Sequence, residues 1–231
     1  WIWMCSQPGR LLNCELECAS LRDLRHWTPR YLVNRSIEKI YRTSNPDLPW
    51  LTQQANLILA TWLLPEDRGL EFGSGRSTIW FCQRAASLFS IEHNAAWHEI
   101  VSKKLQTLNL TNIDYRLVQK HEMGIAKPSY VETAAILKDE SLDFVLVDGI
   151  YRDDCAHLAI QKLRPGGLLI IDNVNHYLPS RSISPNSIPL GNAPASPLWE
   201  IAYNTLKNWR FIWTSNGVSD TALFFKPCDH S

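Results

Sequence analysis

The chain has 231 residues and the composition of an ordinary globular protein. Hydrophobic residues make up 45% of it, ten residues are tryptophan, and 23 basic side chains balance 23 acidic ones. A chain of this length can bury a full core as one domain, which excludes a largely disordered protein. The balanced charge favours neither nucleic acid nor a membrane surface, and the longest apolar run, 55–64, is too short to span a bilayer.

The cysteines indicate a reducing compartment, and their spacing does not indicate a metal site. Cys14 and Cys18 are one helical turn apart, but the sequence offers no second ligand pair with which to hold zinc. Cys82 and Cys155 fall in apolar helical patterns, where reduced core thiols are the rule. We therefore expect a reducing, cytoplasmic location.

The first fifty residues, 1–50, are predicted to form a helical cap that precedes a main domain over 51–231. One helix is expected over 14–24 and a second after Pro29. Residues 10–42 carry seven basic and four acidic side chains, which indicate either a solvated helix face or a surface for an anionic partner. The apolar side of the second helix is predicted to consist of Tyr31, Leu32, Ile37, Ile40 and Tyr41.

The main domain contains a short apolar strand, 69–72, that runs into a glycine turn. Gly73 and Gly75 let the backbone turn sharply and approach a ligand closely, because neither carries a Cβ. Ser77 or Thr78 is expected to cap the helix that follows, whose free N–H groups would face the same spot.

A second apolar strand, 88–91, ends in Glu92. A carboxylate at the tip of the neighbouring strand suits a ribose, which offers two hydroxyl donors. A tight turn and a solvated glutamate are the alternative interpretation. The combination of turn and acid favours a site for a nucleotide-type cofactor.

Beyond Glu92 the predicted helices and strands alternate. This alternation predicts an α/β fold with a three-layer, doubly wound, Rossmann-like sheet that binds ligands at the carboxyl ends of its strands. Residues 173–197 are rich in proline and lack an apolar period, so they form either a functional lid loop or a disordered segment. The predicted helices are 51–64, 95–108, 130–138, 153–163 and 198–208, and the further strands are 113–118, 142–147, 168–171, 210–213 and 221–225.

The segment 71–75, Glu-Phe-Gly-Ser-Gly, resembles the first motif of the class I S-adenosylmethionine-dependent methyltransferases. A dinucleotide fingerprint would instead need a third glycine where this chain has Thr78. The turn residues 215–217 between the last two predicted strands indicate a hairpin. A hairpin there resembles this family, whose seven-stranded sheet is mostly parallel with an antiparallel last strand. The resemblance covers about 48–227 and leaves the N-terminal cap outside.

This resemblance implies that S-adenosylmethionine is the cofactor. Glu71 would lie near its methionine amino end, Glu92 on its ribose and His93 on its adenine. Trp50 or Thr52, before the first strand, would line the pocket. The implied cofactor-binding residues are Glu71, Gly73, Ser74, Gly75, Ser77, Thr78, Glu92, His93 and Asp148.

Acidic residues also follow the fourth and fifth predicted strands. Asp148, Asp172 and Asn173 together resemble the metal-binding trio of the catechol and caffeoyl-coenzyme-A O-methyltransferases. The resemblance implies a magnesium or calcium ion that lowers the pKa of the acceptor hydroxyl. Two observations keep a purely structural role open. Tyr151 stands where that group has a lysine base, and the Asp-Asn pair could simply cap or turn the loop.

Without a metal, a side chain must remove the proton of the acceptor. Tyr151, His176 and Tyr177 are the candidates near the carboxyl edge of the sheet, and histidine titrates closest to neutrality. We expect the catalytic residues to be Asp148, Tyr151 and His176. Arg152 could hold a carboxylate or phosphate through two hydrogen bonds, or it could begin a surface helix.

The sequence therefore predicts a methyltransferase that acts on an oxygen of a small molecule or sugar, with a homo-oligomer as a possible assembly. Enzymes that methylate nucleic-acid amino groups carry an Asn/Asp-Pro-Pro-Tyr motif after the fourth strand. Here that position reads Asp-Gly-Ile-Tyr, over 148–151, so no nucleic-acid partner is expected. A nicotinamide-dependent oxidoreductase and a binding module without turnover are the alternatives.

Overall fold

Within residues 28–119 and 128–228, which are those that this computed structural model describes, the chain forms seven α-helices, one 3₁₀ turn and nine strands. In chain order the elements are α1 (Pro29–Ser44), α2 (Gln53–Trp62), β1 (Arg68–Phe72), α3 (Arg76–Cys82), β2 (Ser87–Glu92), α4 (Ala95–Thr107), β3 (Ile113–Leu117), α5 (Pro128–Glu132), β4 (Leu142–Val147), α6 (Arg152–Lys162), β5 (Leu163–Asp172), the 3₁₀ turn (Val174–His176), β6 (Pro179–Ser180), β7 (Ile188–Pro189), α7 (Pro197–Leu206), β8 (Arg210–Ser215) and β9 (Asp220–Phe225).

Short polar side chains start four of these helices. Each accepts a hydrogen bond from a backbone N–H of the first turn, which otherwise has no partner within the helix. In α1 and α7 a proline follows the cap, where its missing N–H costs nothing. The four caps are Thr28 of α1, Thr52 of α2, Asn94 of α4 and Ser196 of α7.

The main sheet has seven strands in the order β3-β2-β1-β4-β5-β9-β8. Strands β1 to β5 pair in parallel, and β9 lies antiparallel between β5 and β8. This arrangement confirms the predicted doubly wound, Rossmann-like sheet with an inserted antiparallel last strand. Its carboxyl edge collects the ends of β1, β2, β4 and β5, where ligands bind in such folds.

Two apolar clusters, one on each face of the sheet, make the fold three layers thick. The strand β4 shows why, because Val145 and Val147 belong to one cluster while Phe144 and Leu146 belong to the other. Helices α6 and α7 cover the first face, and α2, α3 and α4 cover the second. A parallel strand buried on both faces is apolar throughout, as β4 is apart from one aspartate near its start.

The strand β5 begins at Leu163, five residues before the predicted start at Leu168. Gly166 and Gly167, which lie between the predicted helix 153–163 and the predicted strand 168–171, are part of the strand. A Cβ on Gly167 would lie 2.9–3.1 Å from three backbone carbonyl oxygens, so only glycine lets the strands pack this closely. A register shift against β4 accommodates the extra residues.

The helix predicted over 130–138 was wrong in extent, because α5 ends at Glu132. The segment after Glu132 contacts the buried ammonium group of Lys162. This ammonium group donates to the carbonyl oxygens of Ala135 and Leu137 at 3.0 and 2.6 Å, and to the carboxylate of Asp139 at 2.7 Å. Lys162 therefore supplies donors to the non-helical segment that follows α5.

The helix predicted after Pro29 is present as α1, but its predicted apolar side was wrong. Leu32, Ile37 and Ile40 are exposed, whereas Glu38 is buried between Arg35 and Arg42. The reason is that α1 crosses the carboxyl edge of the sheet with its polar face inward. The helix predicted over 14–24 lies outside the described residues.

Contacts at both ends of α1 define this crossing. Near its start, the side chain of Asn34 lies against Gly217 in the turn between β8 and β9. Near its end, the carbonyl oxygen of Arg42 accepts a hydrogen bond from Arg76 at the start of α3. The helix therefore spans the distance from the last hairpin to the glycine turn.

The proline-rich loop, 173–197, is tied down by hydrogen bonds and is not a disordered segment. The side-chain amide of Asn175 donates to the carbonyl of Pro185 and to the hydroxyl of Ser187, both at 3.0 Å. The hydroxyl of Ser184 donates to Asp220 on β9. The role of this loop as a lid stays a prediction.

Two smaller expectations also have an outcome. Cys82 and Cys155 are buried and free, as predicted for core thiols. Over 28–119 and 128–228, no helix combines the length and the apolar character needed to cross a bilayer.

We expect Lys162→Met to lower the free energy of unfolding by about 1–3 kcal/mol, because it leaves two loop carbonyls without their donor. Urea unfolding measures this change. Lys103→Met on the exposed face of α4 is the control and should stay within about 0.5 kcal/mol of the parent protein. Equal stability of the two variants would contradict the role given to Lys162.

Candidate functional site

The two glycines of the turn after β1 have different reasons to be glycine. Gly73 has a φ of +91°, and a Cβ there would lie 2.6 Å from the backbone of Gly149, so the fold itself requires it. Gly75 has an extended φ of 174°. The nearest atom to a Cβ on Gly75 would be Nε1 of Trp97 at 3.8 Å, an ordinary contact. Neither backbone strain nor crowding therefore demands glycine at position 75.

Glu71 lies behind the turn and is completely buried. Its carboxylate accepts hydrogen bonds from the hydroxyls of Ser77, Thr78 and Ser90 at 2.5, 2.6 and 2.6 Å. Burial raises the pKa of Glu71 to about 7, although these three donors oppose the shift. The side chains of Glu71, Ser77 and Thr78 are thus engaged inside the protein, and the expectation that these residues bind a cofactor stays a prediction.

Those contacts also correct the predicted helix cap. The N-cap of α3 is Gly75, and the hydroxyl of Thr78 accepts a hydrogen bond from its N–H at 2.8 Å. The hydroxyl of Ser77 donates a hydrogen bond to Glu71 and does not cap α3. The turn is thus held from within by the buried carboxylate and its hydroxyl partners.

Glu92, at the end of β2, faces the turn from the neighbouring strand. One carboxylate oxygen accepts from the N–H and the hydroxyl of Ser74, both at 2.9 Å. The other accepts from the N–H groups of His93 and Asn94 at 2.8 and 2.7 Å. Burial alone would raise the pKa of Glu92, but the side chain of His93, 3.0 Å away, together with these hydrogen bonds outweighs it and holds the pKa below its ordinary value. Glu92 is therefore ionised at neutral pH.

Three aromatic residues that the sequence interpretation missed hold Ser74 and its surroundings. The indole N–H of Trp97 donates to the carbonyl of Ser74 at 2.7 Å, and the hydroxyls of Tyr115 and Ser74 lie 2.6 Å apart. The ring of Tyr130 contacts His93 edge to face, with 6.2 Å between centroids. They come from α4, β3 and α5, so only their position at the same sheet edge, and no motif, could have indicated them.

The ends of β4 and β5 carry the second group of predicted residues, and Arg152 ties them together. Its guanidinium donates to the carboxylate and carbonyl of Asp148 at 2.7 and 2.9 Å and to the carbonyl of Gly149 at 2.9 Å. It also donates to the carbonyl of Asp172 at 2.6 Å and to the side-chain oxygen of Asn173 at 3.4 Å. The predicted use of Arg152 on a substrate anion does not fit, since every donor already has a partner.

These contacts engage each member of the predicted metal trio with a donor of the protein. Arg152 occupies Asp148 and Asn173, and the remaining acid, Asp172, accepts from the hydroxyl of Thr221 at 2.7 Å. In the part of the chain that the structure describes, no group of three or more His, Cys, Asp or Glu side chains is arranged to hold a metal ion. The residues present do not fit a magnesium or calcium ion.

Burial dominates the protonation of both acids. It raises the pKa of Asp148, against the attraction of Arg152 and of Arg42 from α1. It raises the pKa of Asp172 to about 7, together with repulsion from Asp148. The influence of Arg42 on Asp148 also indicates that α1 passes close to the end of β4.

The three candidate bases have different surroundings. Tyr151 has a left-handed φ of 49° at the start of α6, and its ring contacts Tyr130. Tyr177 stacks on Trp199 with 5.1 Å between centroids, inside the packing of α7. Burial lowers the pKa of His176, so its imidazole is neutral at pH 7 and can accept a proton.

The two residues expected near the pocket entrance are placed differently. Trp50 is about half exposed and lies between the guanidinium groups of Arg42 and Arg76, at 5.4 and 5.3 Å from its ring centroid. Thr52 is buried and bonds to Thr214 on β8. Thr52 therefore does not line a pocket, which corrects that expectation.

We expect the Asp172→Asn variant to gain stability relative to the parent protein as the pH rises from about 5 to 8. The pKa of Asp172 in the folded protein is about 7, above its ordinary value of 3.8. The folded protein therefore holds a proton that the unfolded chain releases, and the stability linked to Asp172 is full at low pH and lost as the pH rises through 7. Urea unfolding at several pH values measures the difference, and Asp114→Asn on exposed β3 is the control.

A constant difference between Asp172→Asn and the parent protein across this pH range would show that Asp172 has an ordinary pKa. The comparison with the parent protein removes the contribution of Glu71, whose raised pKa acts in the same direction in both proteins.

The sequence of part of this chain is similar to a known protein family. Residues 70–174 match the family model described as a methyltransferase domain. The match contains the glycine turn, Glu92, Arg152 and the ends of β4 and β5. No curated protein matches the chain in sequence.

Solved structures share the fold at low sequence identity. An rRNA methylase from Streptococcus thermophilus is 11% identical, with 76% of this chain and 98% of that chain covered and a TM-score of 0.50. An S-adenosylmethionine-dependent methyltransferase from Aquifex aeolicus is 13% identical, with 83% and 97% covered and a TM-score of 0.46. The family match shows that residues 70–174 are similar to methyltransferase domains, and the sheet order and the glycine turn of this chain agree with that similarity.

Proposed function

We propose that this chain binds S-adenosylmethionine across the carboxyl ends of β1 and β2 and methylates an oxygen of a small molecule or sugar. The observation that carries the proposal is the contrast between the two glycines. The fold requires Gly73, but nothing within the described protein requires Gly75. Clearance for a ligand against the backbone is the remaining reason for glycine at that position.

Glu92 supports a ribose at the neighbouring strand end. It is ionised, and it already accepts four hydrogen bonds, which is about as many as a carboxylate can take. Three of these come from backbone N–H groups, and the fourth comes from the hydroxyl of Ser74. A ribose hydroxyl can replace that hydroxyl, because Ser74 can turn to Tyr115 instead.

The other cofactor contacts follow from this placement. The ring of His93 is one-third exposed beside Glu92, which suits a flat base. The backbone of Ser74 and Gly75 lines the turn, and Trp97 fixes its direction. Asp148 follows β4, and its backbone lies next to Gly73. It would contact the cofactor from the side of the turn opposite Glu92.

When bound, the cofactor supplies an electrophilic methyl group for in-line displacement. The chain has to align the acceptor with it and remove the acceptor proton. His176 is our candidate for this base, because it is neutral at pH 7 and lies at the carboxyl edge after β5. Its proton-accepting nitrogen would take the hydroxyl proton of the acceptor.

The alternatives account for fewer observations. A nicotinamide-dependent oxidoreductase would need close packing at a third glycine, where this chain has Thr78 bonded to Glu71. The inserted antiparallel β9 also argues against it. A cofactor-binding module without turnover would keep the site at Glu92 but yield no product in a screen of methyl acceptors.

Isothermal titration with S-adenosylmethionine and with its demethylated product tests the proposal. We expect saturable binding of both and none of nicotinamide dinucleotide. Absence of heat from both sulfur ligands would end the methyltransferase proposal, and binding of the dinucleotide alone would favour the oxidoreductase.

We expect Gly75→Ala and Gly73→Ala to separate ligand clearance from folding. Gly75→Ala should unfold within about 1 kcal/mol of the parent protein and yet bind S-adenosylmethionine about tenfold more weakly or worse, since its Cβ enters the ligand space. Gly73→Ala should lose about 1–3 kcal/mol or more of stability through its left-handed φ and the contact with Gly149. Undiminished affinity of Gly75→Ala would remove the main support for the proposed site.

His176→Gln is expected to lower kcat by about 10²–10⁴-fold and to leave the affinity for the cofactor unchanged. In the parent protein the rate should fall on the acidic side as His176 becomes protonated, at a pKa below its ordinary value of 6.5. The variant should lack this acidic limb. Stopped assays across pH with a confirmed acceptor measure both effects, and a retained limb would assign the base to Tyr151 or another group.

A further inference from the structure

We propose that Arg152 is the resident cation at the carboxyl ends of β4 and β5, and that it takes the place that a divalent metal ion would have among Asp148, Asp172 and Asn173. The structural half of this inference is independent of the catalytic role. Its functional half, that methyl transfer proceeds without a divalent ion, rests on the function proposed above.

The first argument is that the guanidinium uses all of its donors. An arginine offers five N–H groups in a planar fork. Here Nε donates to Gly149, Nη1 donates to Asp172 and Asn173, and Nη2 donates twice to Asp148. Five donors therefore meet five acceptors on the two strand ends, and the side chain of Arg152 is only 14% exposed.

The second argument is geometric exclusion. A magnesium or calcium ion needs oxygen ligands at about 2.0–2.6 Å and would approach the lone pairs that now accept from Arg152. Two cations cannot share those lone pairs, because their repulsion in a poorly solvated site is large. The last acid of the trio, Asp172, is turned away toward the hydroxyl of Thr221. A metal ion that used the oxygens bonded to Arg152 would have to displace the guanidinium.

The third argument concerns what the cation does. Backbone carbonyls from Asp148, Gly149 and Asp172 converge on one guanidinium, so Arg152 fixes the spacing of two neighbouring strand ends. It also lies 5.7 Å from the ring centroid of Tyr177 in the proline-rich loop. Arg152 is thus a positioning residue for this edge of the sheet and not a binding residue for substrate.

Removal of the guanidinium should convert the site into one that accepts a metal. Arg152→Ala would leave a carboxylate oxygen, an amide oxygen and three backbone carbonyls around the space that the guanidinium now fills. Oxygen ligands of this kind suit calcium, which tolerates six to eight of them in irregular geometry. The latent site is therefore a direct consequence of the present arrangement.

The test is thermal unfolding of the full chain with magnesium, calcium or manganese chloride, and with chelator, at constant ionic strength. The parent protein should show no shift in Tm with any of them. Arg152→Ala should unfold roughly 6–20 °C lower, because it leaves acids buried without their partner. Calcium should restore part of that loss in Arg152→Ala.

Two further variants serve as controls. Arg164→Ala removes an arginine from Asp143 between the same strands at the opposite edge, and it should gain no response to divalent ions. Arg152→Lys keeps the charge with three donors, so we expect an intermediate Tm and again no response to divalent ions. If Arg152→Ala does not fold, Arg152→Lys and the titration of the parent protein still decide the matter.

A rise in the Tm of the parent protein with a divalent ion, abolished by Asp172→Asn, would overturn the inference. So would an Arg152→Ala variant as stable as the parent protein. Failure of S-adenosylmethionine to bind in titration would end the proposed function and leave the metal result standing. Turnover that needs a divalent ion, in a protein whose Tm ignores it, would overturn the functional half alone.

Discussion

The close approach of two backbones, at Gly73 and Gly149, is the constraint on which the site depends. It brings the carboxyl ends of β1 and β4 within van der Waals distance, where a Cβ on either residue would collide with protein. Packing this tight is possible only without side chains. This contact between β1 and β4 fixes the position of the glycine turn opposite Glu92. It also fixes the positions of Asp148 and Arg152 after β4.

Two glutamates near this contact show how the surroundings decide the role of a residue. Glu71 is wholly enclosed, its pKa is raised to about 7, and its partners are hydroxyls that hold the turn from behind. Glu92 accepts three backbone N–H groups and has a lowered pKa, so it keeps its charge. Glu71 is therefore held among hydroxyl groups with a raised pKa, and Glu92 is held as a charged carboxylate at the end of β2.

The β4 and β5 side of the edge is held by a charge that belongs to the protein. Arg152 neutralises Asp148 and draws three carbonyls together, while α1 brings Arg42 toward the same acid. The polar inward face of α1 follows from this position, since a helix over the open edge of a sheet faces charged strand ends and not an apolar core. The apolar residues on the other face of α1 are therefore exposed to solvent.

The sequence by itself determined the elements and their order, because they depend on local periodicity. The apolar runs of β4 and β5, the turn at Gly73 and the terminal hairpin predicted a doubly wound sheet, and Glu92 was found from its place after a strand. Only the tertiary structure decided which side chains face a ligand. Different hydrogen-bond donors separate Glu71 from Glu92, Lys162 bonds to the segment after α5, and Arg152 bonds to Asp148 and Asn173 of the predicted metal trio. These outcomes depend on partners distant in the chain, and local spacing carries no information about them.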